Sequence, residues 1–317
     1  MIEFTMSEDF PKSQREFDFR FATEQACYDY LFQCRFPDGY GCSHCGHTAC
    51  WKSASGLLIC TRCERQHSLT AGTIFHGTRK PLTDWFKAMW WFTTRKSGVN
   101  AVNLKDLLGL GSYGTAWSWL QKLRSCTVRK EREKLCGQVE TDDFYIGGEH
   151  GGRRGRGALH KCAVAIAVER RNKKLGRMRI KVIEDCSANE LIPFVQGNIA
   201  PGSAVITDGW KGFNDLKNQG YCHHQIFQNK TADKQSVLPG VHLVISLIKR
   251  LVLGTFQGRF EKKHLQSYLD EYTFRFNRRN SKHVGKKFFR ITQQAVVSSP
   301  KSYNQIIAGA FNPALAN

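Results

Sequence analysis

Apolar and polar positions alternate on two different periods along this chain. Between residues 81 and 130 the apolar positions recur at three- and four-residue steps. Leu82, Trp85, Phe86, Met89 and Trp90 form one stripe, and Pro81 stands where a helix would start. After Lys130 the pattern changes to short apolar runs bounded by turn residues. These predict strands at 138–146, 161–169, 177–183 and 204–207. Helical segments are expected near 187–196 and 210–218, and a further helix from about 240. Upstream, residues 1–38 are mixed, with a stretch rich in Phe17, Phe19, Phe21, Tyr28, Tyr30 and Phe32 and a short helix expected near 23–34. Residues 39–75 are rich in Gly and Cys and carry short β patterns. No internal repeat is visible, and the one candidate flexible insertion is the Gly/Arg stretch 147–157.

Within 81–130 the segment 98–124 predicts one helix ending near Leu108, a turn at Gly109–Gly111, and a second helix carrying Thr115, Trp119, Lys122 and Arg124. That is the grammar of a helix-turn-helix, with the second helix as reader. It is also common in ordinary helical bundles, so charge has to weigh in. The 317 residues include 47 Lys+Arg against 27 Asp+Glu, a net charge of +20. A chain this basic usually meets a polyanion, and nucleic acid is the default partner. The charge is clustered: from Lys249 to Arg290 there are 12 Lys/Arg and three acids, Glu261, Asp270 and Glu271. Clustering suits a surface that tracks phosphates better than it suits general solubility.

With 41% hydrophobic residues the chain can bury a core, which excludes wholesale disorder. Apolar runs such as 162–168 fall far short of the ~20 residues that span a bilayer. The N-terminus lacks the apolar core of a signal peptide. A cytoplasmic protein without membrane contact is expected, and there 12 Cys argue for metal sites rather than disulfides. Cys42-Ser-His-Cys45 is followed after 14 residues by Cys60-Thr-Arg-Cys63. Two such pairs make two tight knuckles that close on one structural Zn²⁺, the pattern of a zinc ribbon. Cys34, Cys50, His44, His47 and His67 lie close enough in sequence to replace one ligand.

Acids are scarce, so those in strands carry information. Asp142 and Asp143 lie in the strand 138–146, and Asp208 ends the strand 204–207 just before Gly209. Carboxylates at the ends of adjacent strands of an open α/β sheet converge where ligands bind, and a pair of them can hold Mg²⁺ for phosphoryl transfer. Strand alternation by itself does not choose between Asp142 and Asp143, and Asp-Gly is also an ordinary turn.

Residues 139–148 (VETDDFYIGG) resemble the VEVDE-x-YIGG strand of bacterial insertion-sequence DDE transposases, in the ISXO-like branch whose members carry an N-terminal zinc ribbon. Residues 205–210 (VITDGW) resemble that family's TDGW strand. Residues 241–258 resemble its third block and 268–279 its tail, so the resemblance runs from about Cys42 to Phe289. It implies an α/β fold: an RNase H-like mixed-sheet catalytic domain over 136–290, preceded by the ribbon (39–75) and the helix-turn-helix-like segment (81–130), with a tail at 291–317. Asp142 and Asp208 match the family's first two catalytic acids, 66 residues apart. His242, 34 residues further, stands where most DDE enzymes have Glu, and Lys249 matches the lysine seven residues on. Seven residues are nearly two helical turns, so His242 and Lys249 share a face. The missing third carboxylate leaves Glu261 and Glu271 as outside candidates.

The chemistry implied is a DNA transposase with catalytic Mg²⁺ or Mn²⁺. Water hydrolyses a phosphodiester at the element's terminal inverted repeat, and the freed 3′-OH attacks target DNA, in an assembly of two or more copies. His242 is expected as a weak metal ligand or as a positioner of the attacking water. Lys249 is expected on a DNA phosphate. Arg153, Arg154 and Arg156 in the Gly-rich loop, and Arg275, Arg278 and Arg279 on a further helix, are expected to contact DNA. Two rivals stand beside this: a zinc-ribbon/helix-turn-helix regulator, which leaves Asp142, Asp208 and Lys249 without a shared role, and a catalytically inactive relic of a transposase.

Overall fold

The computed structural model describes residues 8–129, 131–147, 161–172, 174–227, 237–257 and 260–309. The chain divides into two units, 1–129 with 280–311, and 130–279.

The first unit opens with helices α1 (Gln14–Arg20) and α2 (Glu24–Arg35). Ser13 and Thr23 begin them, each side-chain oxygen accepting a backbone N–H of the first turn. Three short antiparallel strands follow, β1 (Cys50–Lys52), β2 (Leu57–Cys60) and β3 (Gln66–Ser68). Next come α3 (Leu82–Thr94), α4 (Ala101–Leu108) and α5 (Tyr113–Ser125). Gly109 ends α4 in the left-handed conformation that glycine adopts without strain, and Ser112 caps α5.

The chain returns to this unit after Arg279. Helix α9 (Gly285–Val297) and the short α10 (Tyr303–Ile307) belong to it, so residues 280–290, expected at the end of the catalytic domain, lie here instead. The reason is aromatic packing. Phe288 of α9 meets Phe17, Phe21, Tyr30, Phe86 and Trp90, with ring centroids 5.6–6.0 Å apart. Gly285 permits the approach, because a Cβ there would lie 1.8 Å from the Pro11 carbonyl oxygen.

The second unit is a five-stranded mixed sheet in the order β6-β5-β4-β7-β8. Strands β4 (Gln138–Ile146), β5 (Cys162–Arg171) and β6 (Lys174–Ile183) form an antiparallel meander. Strands β7 (Ala204–Thr207) and β8 (Cys222–Gln225) add on in parallel to β4. Both faces are covered. Phe144, Ile146, Val164, Ile166, Val168, Met178 and Ile180 pack under α7 (Pro239–Gly254) and α8 (Lys262–Asn277). Val139, Ala163, Ala165, Ala167 and Val205 pack under α6 (Ala188–Asn198) and the 3₁₀ turn Lys211–Lys217. Alternate residues of β4 and β5 thus feed two cores, which is why β5 reads as a nearly continuous apolar run over 162–168. This topology is that of the expected RNase H-like α/β domain. Among the described residues no helix is long and apolar enough to cross a membrane.

Candidate active site and zinc centre

The two cysteine knuckles fold in the same way. The Cys42 N–H donates to the His47 carbonyl and the Gly46 N–H donates back to Cys42. The Cys60 N–H donates to Arg65 and the Glu64 N–H to Cys60, the same pattern eighteen residues on. The residue after each second cysteine is left-handed, Gly46 at φ 72° and Glu64 at φ 56°. Glycine takes that conformation freely and glutamate only under the constraint of its surroundings. The result is a cluster of Cys42, Cys45, Cys60 and Cys63 whose sulfurs all lie within 4.8 Å of one another. The closest pairs are 3.6 and 3.7 Å apart. A tetrahedron with Zn–S bonds of ~2.3 Å has edges of about 3.8 Å, so the four sulfurs fit zinc. His67 Nε2 stands 3.5 Å from the Cys42 sulfur, as a neighbour of the cluster.

Electrostatics point the same way. Backbone N–H groups of Cys45 and His44 push the Cys42 thiol down to about 5. The Arg65 N–H favours the Cys63 thiolate, yet burial and the neighbouring sulfurs outweigh it and push Cys63 up to about 12. Four sulfurs this close cannot all ionise without a cation among them.

In the second unit the sheet register does the assembling. Strand β4 pairs with β7 as Gln138 with Ala204, Val139 with Val205 and Glu140 with Ile206, a constant offset of 66. Asp142 and Asp208 are also 66 apart. The pairing ends at Glu140 with Ile206, so Asp142 lies two residues further along β4 and Asp208 just past the end of β7, on neighbouring parallel strands. Asp142 and Asp143 lie on opposite faces of β4. Asp142 shares a face with Phe144 and Ile146, the face under α7. Asp143, one residue on, belongs to the opposite face, and its N–H donates to Asp142 Oδ1 at 2.8 Å.

His242 is the fourth residue of α7, and its Nε2 lies 3.2 Å from Asp142 Oδ2. The imidazole is half-exposed, 48%, while the Asp142 side chain is 11% exposed. Asp208 Oδ1 accepts the Trp210 N–H at 3.0 Å, and the Trp210 indole donates to the Cys186 carbonyl at 2.7 Å. That pair of bonds fixes the Asp-Gly-Trp turn. Asp208 and His242 line one cleft of about 600 Å³ with Gly209, Trp210, Ile226, Phe227, Val237 and Leu238.

Two family models match the chain. The ISXO2-like transposase domain matches residues 134–277 and the transposase zinc-ribbon domain matches residues 22–66. The chain thus carries both a transposase domain of the ISXO2-like kind and a transposase zinc ribbon. No curated protein matches it. The ribbon match takes in α2, whose Tyr28 and Phe32 pack on Tyr40, Cys42, Leu58 and Cys60, so the module is larger than the Cys-rich stretch.

Within this transposase Lys249 lies two turns along α7 from His242. Its Nζ is 5.9 Å from the Phe144 ring, two residues past Asp142 on the same face of β4. Glu261 and Glu271 are placed elsewhere. Glu261 begins α8 and pairs with Lys263 at 2.8 Å. Glu271 is fully buried, bound to Arg275 at 2.7 Å.

That ion pair corrects the expectation for Arg275. Its side chain is 9% exposed and spent on Glu271, so it is not on a phosphate-facing surface. Helix α8 ends at Asn277, which leaves Arg278 and Arg279 beyond it rather than on it. The Arg279 guanidinium donates to the Gly176 and Leu175 carbonyls and lies over the Phe276 ring. Arg278 lies over Phe274 and is half-buried. Arg153, Arg154 and Arg156 fall outside the described residues. In the first unit the helix expected to read DNA is mostly internal: Trp119 and Arg124 of α5 are buried. Its exposed large side chain is Tyr113, in the first turn.

Sequence reasoning missed Glu140. It is 5% exposed, accepts the Val241 N–H at 2.8 Å and pairs with Arg170 at 3.2 Å. A carboxylate on the third residue of α7 satisfies an orphan N–H and meets the positive end of the helix dipole. It docks the start of α7 onto β4, one residue before His242. Gly240 makes room, since a Cβ there would sit 2.8 Å from Glu140 Oε2. The signal was available: Glu140 is two residues from Asp142, on the same face of the same strand, in a chain poor in acids.

Proposed function

We propose that this transposase cleaves the phosphodiester bond at the ends of its DNA element and joins the freed 3′-OH to target DNA, with Asp142, Asp208 and His242 as the reacting centre. The observation that carries this is the shared offset: the β4–β7 register equals the spacing of Asp142 and Asp208, and His242 of α7 closes on Asp142 from above the same strand face.

Asp142 and Asp208 would hold Mg²⁺ or Mn²⁺, hard cations that prefer carboxylate oxygens. Bound there, such an ion supplies charge stabilisation to the transferring phosphoryl group and a more acidic water. The protein's own groups do the rest. The backbone N–H groups of Asp143 and Trp210 fix the two carboxylates before substrate arrives. Such preorganisation keeps reorganisation out of the barrier. His242 is a poor ligand for Mg²⁺, and its half-exposed ring suits orienting the attacking water or 3′-OH by hydrogen bond. Lys249, exposed on the same helix face, suits a DNA phosphate as a point charge. Because two element ends must react in concert, a homo-oligomer is the working form. The zinc ribbon contributes DNA or partner docking rather than chemistry.

The experiment is a cleavage assay on duplex DNA carrying the repeats that flank the gene, with Mg²⁺ or Mn²⁺. Cleavage at the repeat ends, abolished in Asp142→Asn and Asp208→Asn while DNA is still bound, supports the proposal. Undiminished cleavage in either variant removes it.

A further inference from the structure

Parallel strands place one more pair of residues beside the carboxylates. Strand β8 pairs with β7 at a constant offset of 18, Ala204 with Cys222 through Thr207 with Gln225. The Ile226 N–H continues the ladder to the Thr207 carbonyl at 3.0 Å. The same offset sets Ile226 level with Asp208 and Phe227 level with Gly209. The Phe227 ring occupies the space that a side chain at 209 would fill, with ring carbons 2.6 Å from the position of a Cβ there. Glycine at 209 is what lets an aromatic ring lie against the turn that presents Asp208.

This ring is 67% exposed and Ile226 is 42% exposed, and both line the cleft that holds Asp208 and His242. An apolar ring on the open side of a carboxylate site has no use for a phosphate, a metal ion or water. It has a use for a flat apolar surface. In DNA that surface is the face of a nucleobase, available only where the base is unpaired and unstacked. Trp210 lines the same cleft with its indole N–H tied to the Cys186 carbonyl, so the floor is aromatic as well. The volume of about 600 Å³ holds more than a phosphate.

We infer that Phe227, seated on Gly209, is a stacking platform for an unpaired nucleobase next to the scissile phosphate. The platform gives this transposase a preference for DNA whose strands are parted at the cleavage point. It holds the backbone in register with Asp208 through the base rather than through charge. The inference rests on the proposed function, since it assigns the cleft to DNA.

The test uses the full chain, no added divalent metal, and short duplexes of one sequence carrying 2-aminopurine either paired or in a mismatch. Stacking on an aromatic ring quenches that probe. Wild type should bind the mismatched duplex about tenfold more tightly than the paired one and quench its fluorescence. Phe227→Ala should lose both the preference and the quench while still binding the paired duplex. Phe227→Trp should keep both. Phe227→Leu retains apolar bulk and should lose the quench, which separates stacking from greasy contact. Exposure of the ring makes misfolding of these variants a minor concern, and an unchanged melting temperature checks it. Equal binding of the two duplexes by wild type, or full quenching by Phe227→Ala, overturns the platform and leaves the transposase reading in place. No binding of either duplex by wild type overturns both.

Discussion

The two units set out their candidate ligand residues by opposite means. In the ribbon, four sulfurs come from two tight knuckles, and every position of a tetrahedron is filled by protein. In the sheet unit, two carboxylates come from neighbouring parallel strands and an imidazole from a helix laid across them, and the cleft stays open on one side. A filled tetrahedron holds its metal and does no chemistry; an open site leaves positions for water and substrate. The backbone follows suit. The ribbon's strands are three or four residues long, and its core is a few aromatic rings and the cysteines. The sheet unit has two apolar cores of its own, so it needs no ion to fold.

The sharpest break between the two comes from removing ligands. Asp142→Asn or Asp208→Asn should lower cleavage by at least about 1,000-fold, since each carboxylate serves the metal's several kcal/mol of transition-state stabilisation. Neither should lower the melting temperature of the sheet unit by more than a few degrees. Cys60→Ser should do the reverse. Zinc content measured by atomic emission should fall from about one ion per chain to none, and protease should cut the ribbon while sparing 130–279. Wild-type protein that carries no zinc would end the structural-metal account.

Smaller effects sharpen the account of the open site. His242→Ala should reduce cleavage by about 100-fold in Mg²⁺, with Mn²⁺ restoring more of it, and His242→Glu should retain part of the activity. Unchanged Mg²⁺ cleavage by His242→Ala would remove this residue from the centre. Glu140→Ala leaves Arg170 and the α7 start unpaired and should cost about 2 kcal/mol in urea unfolding, with Glu140→Gln intermediate because its amide oxygen still accepts the Val241 N–H. Lys249→Ala should reduce the slope of log affinity for DNA against log salt by roughly one unit, whereas Arg275→Lys should leave it unchanged, because that side chain is already spent on Glu271.

Much of this arrangement was legible in the chain itself. Strands β4 and β7 span the residues expected for them, 138–146 and 204–207. The double Cys-x-x-Cys spacing is a local signal, and local signals survive folding. Residues whose roles depend on distant partners were not legible. Arg275 counts as a surface charge until Glu271, one helical turn away, is seen to be buried beneath it. Residues 280–290 looked like the end of the catalytic domain, and nothing local says that Phe288 belongs with Phe17 and Trp90. Strand alternation left Asp142 and Asp143 equivalent; the resemblance picked Asp142, and the helix packed on β4 shows which face it lies on. The spacing of 66 was in the sequence all along, but it becomes geometry only once β7 is known to lie beside β4.

The most direct test of the central claim is a change of ligand atom at Asp208. Sulfur is a soft ligand that Mg²⁺ rejects and Mn²⁺ accepts more readily. Asp208→Cys should therefore bind element-end DNA like wild type, show no cleavage in Mg²⁺ and recover measurable cleavage in Mn²⁺. Full cleavage in Mg²⁺, or none in either ion with DNA still bound, would contradict a metal-holding role for Asp208.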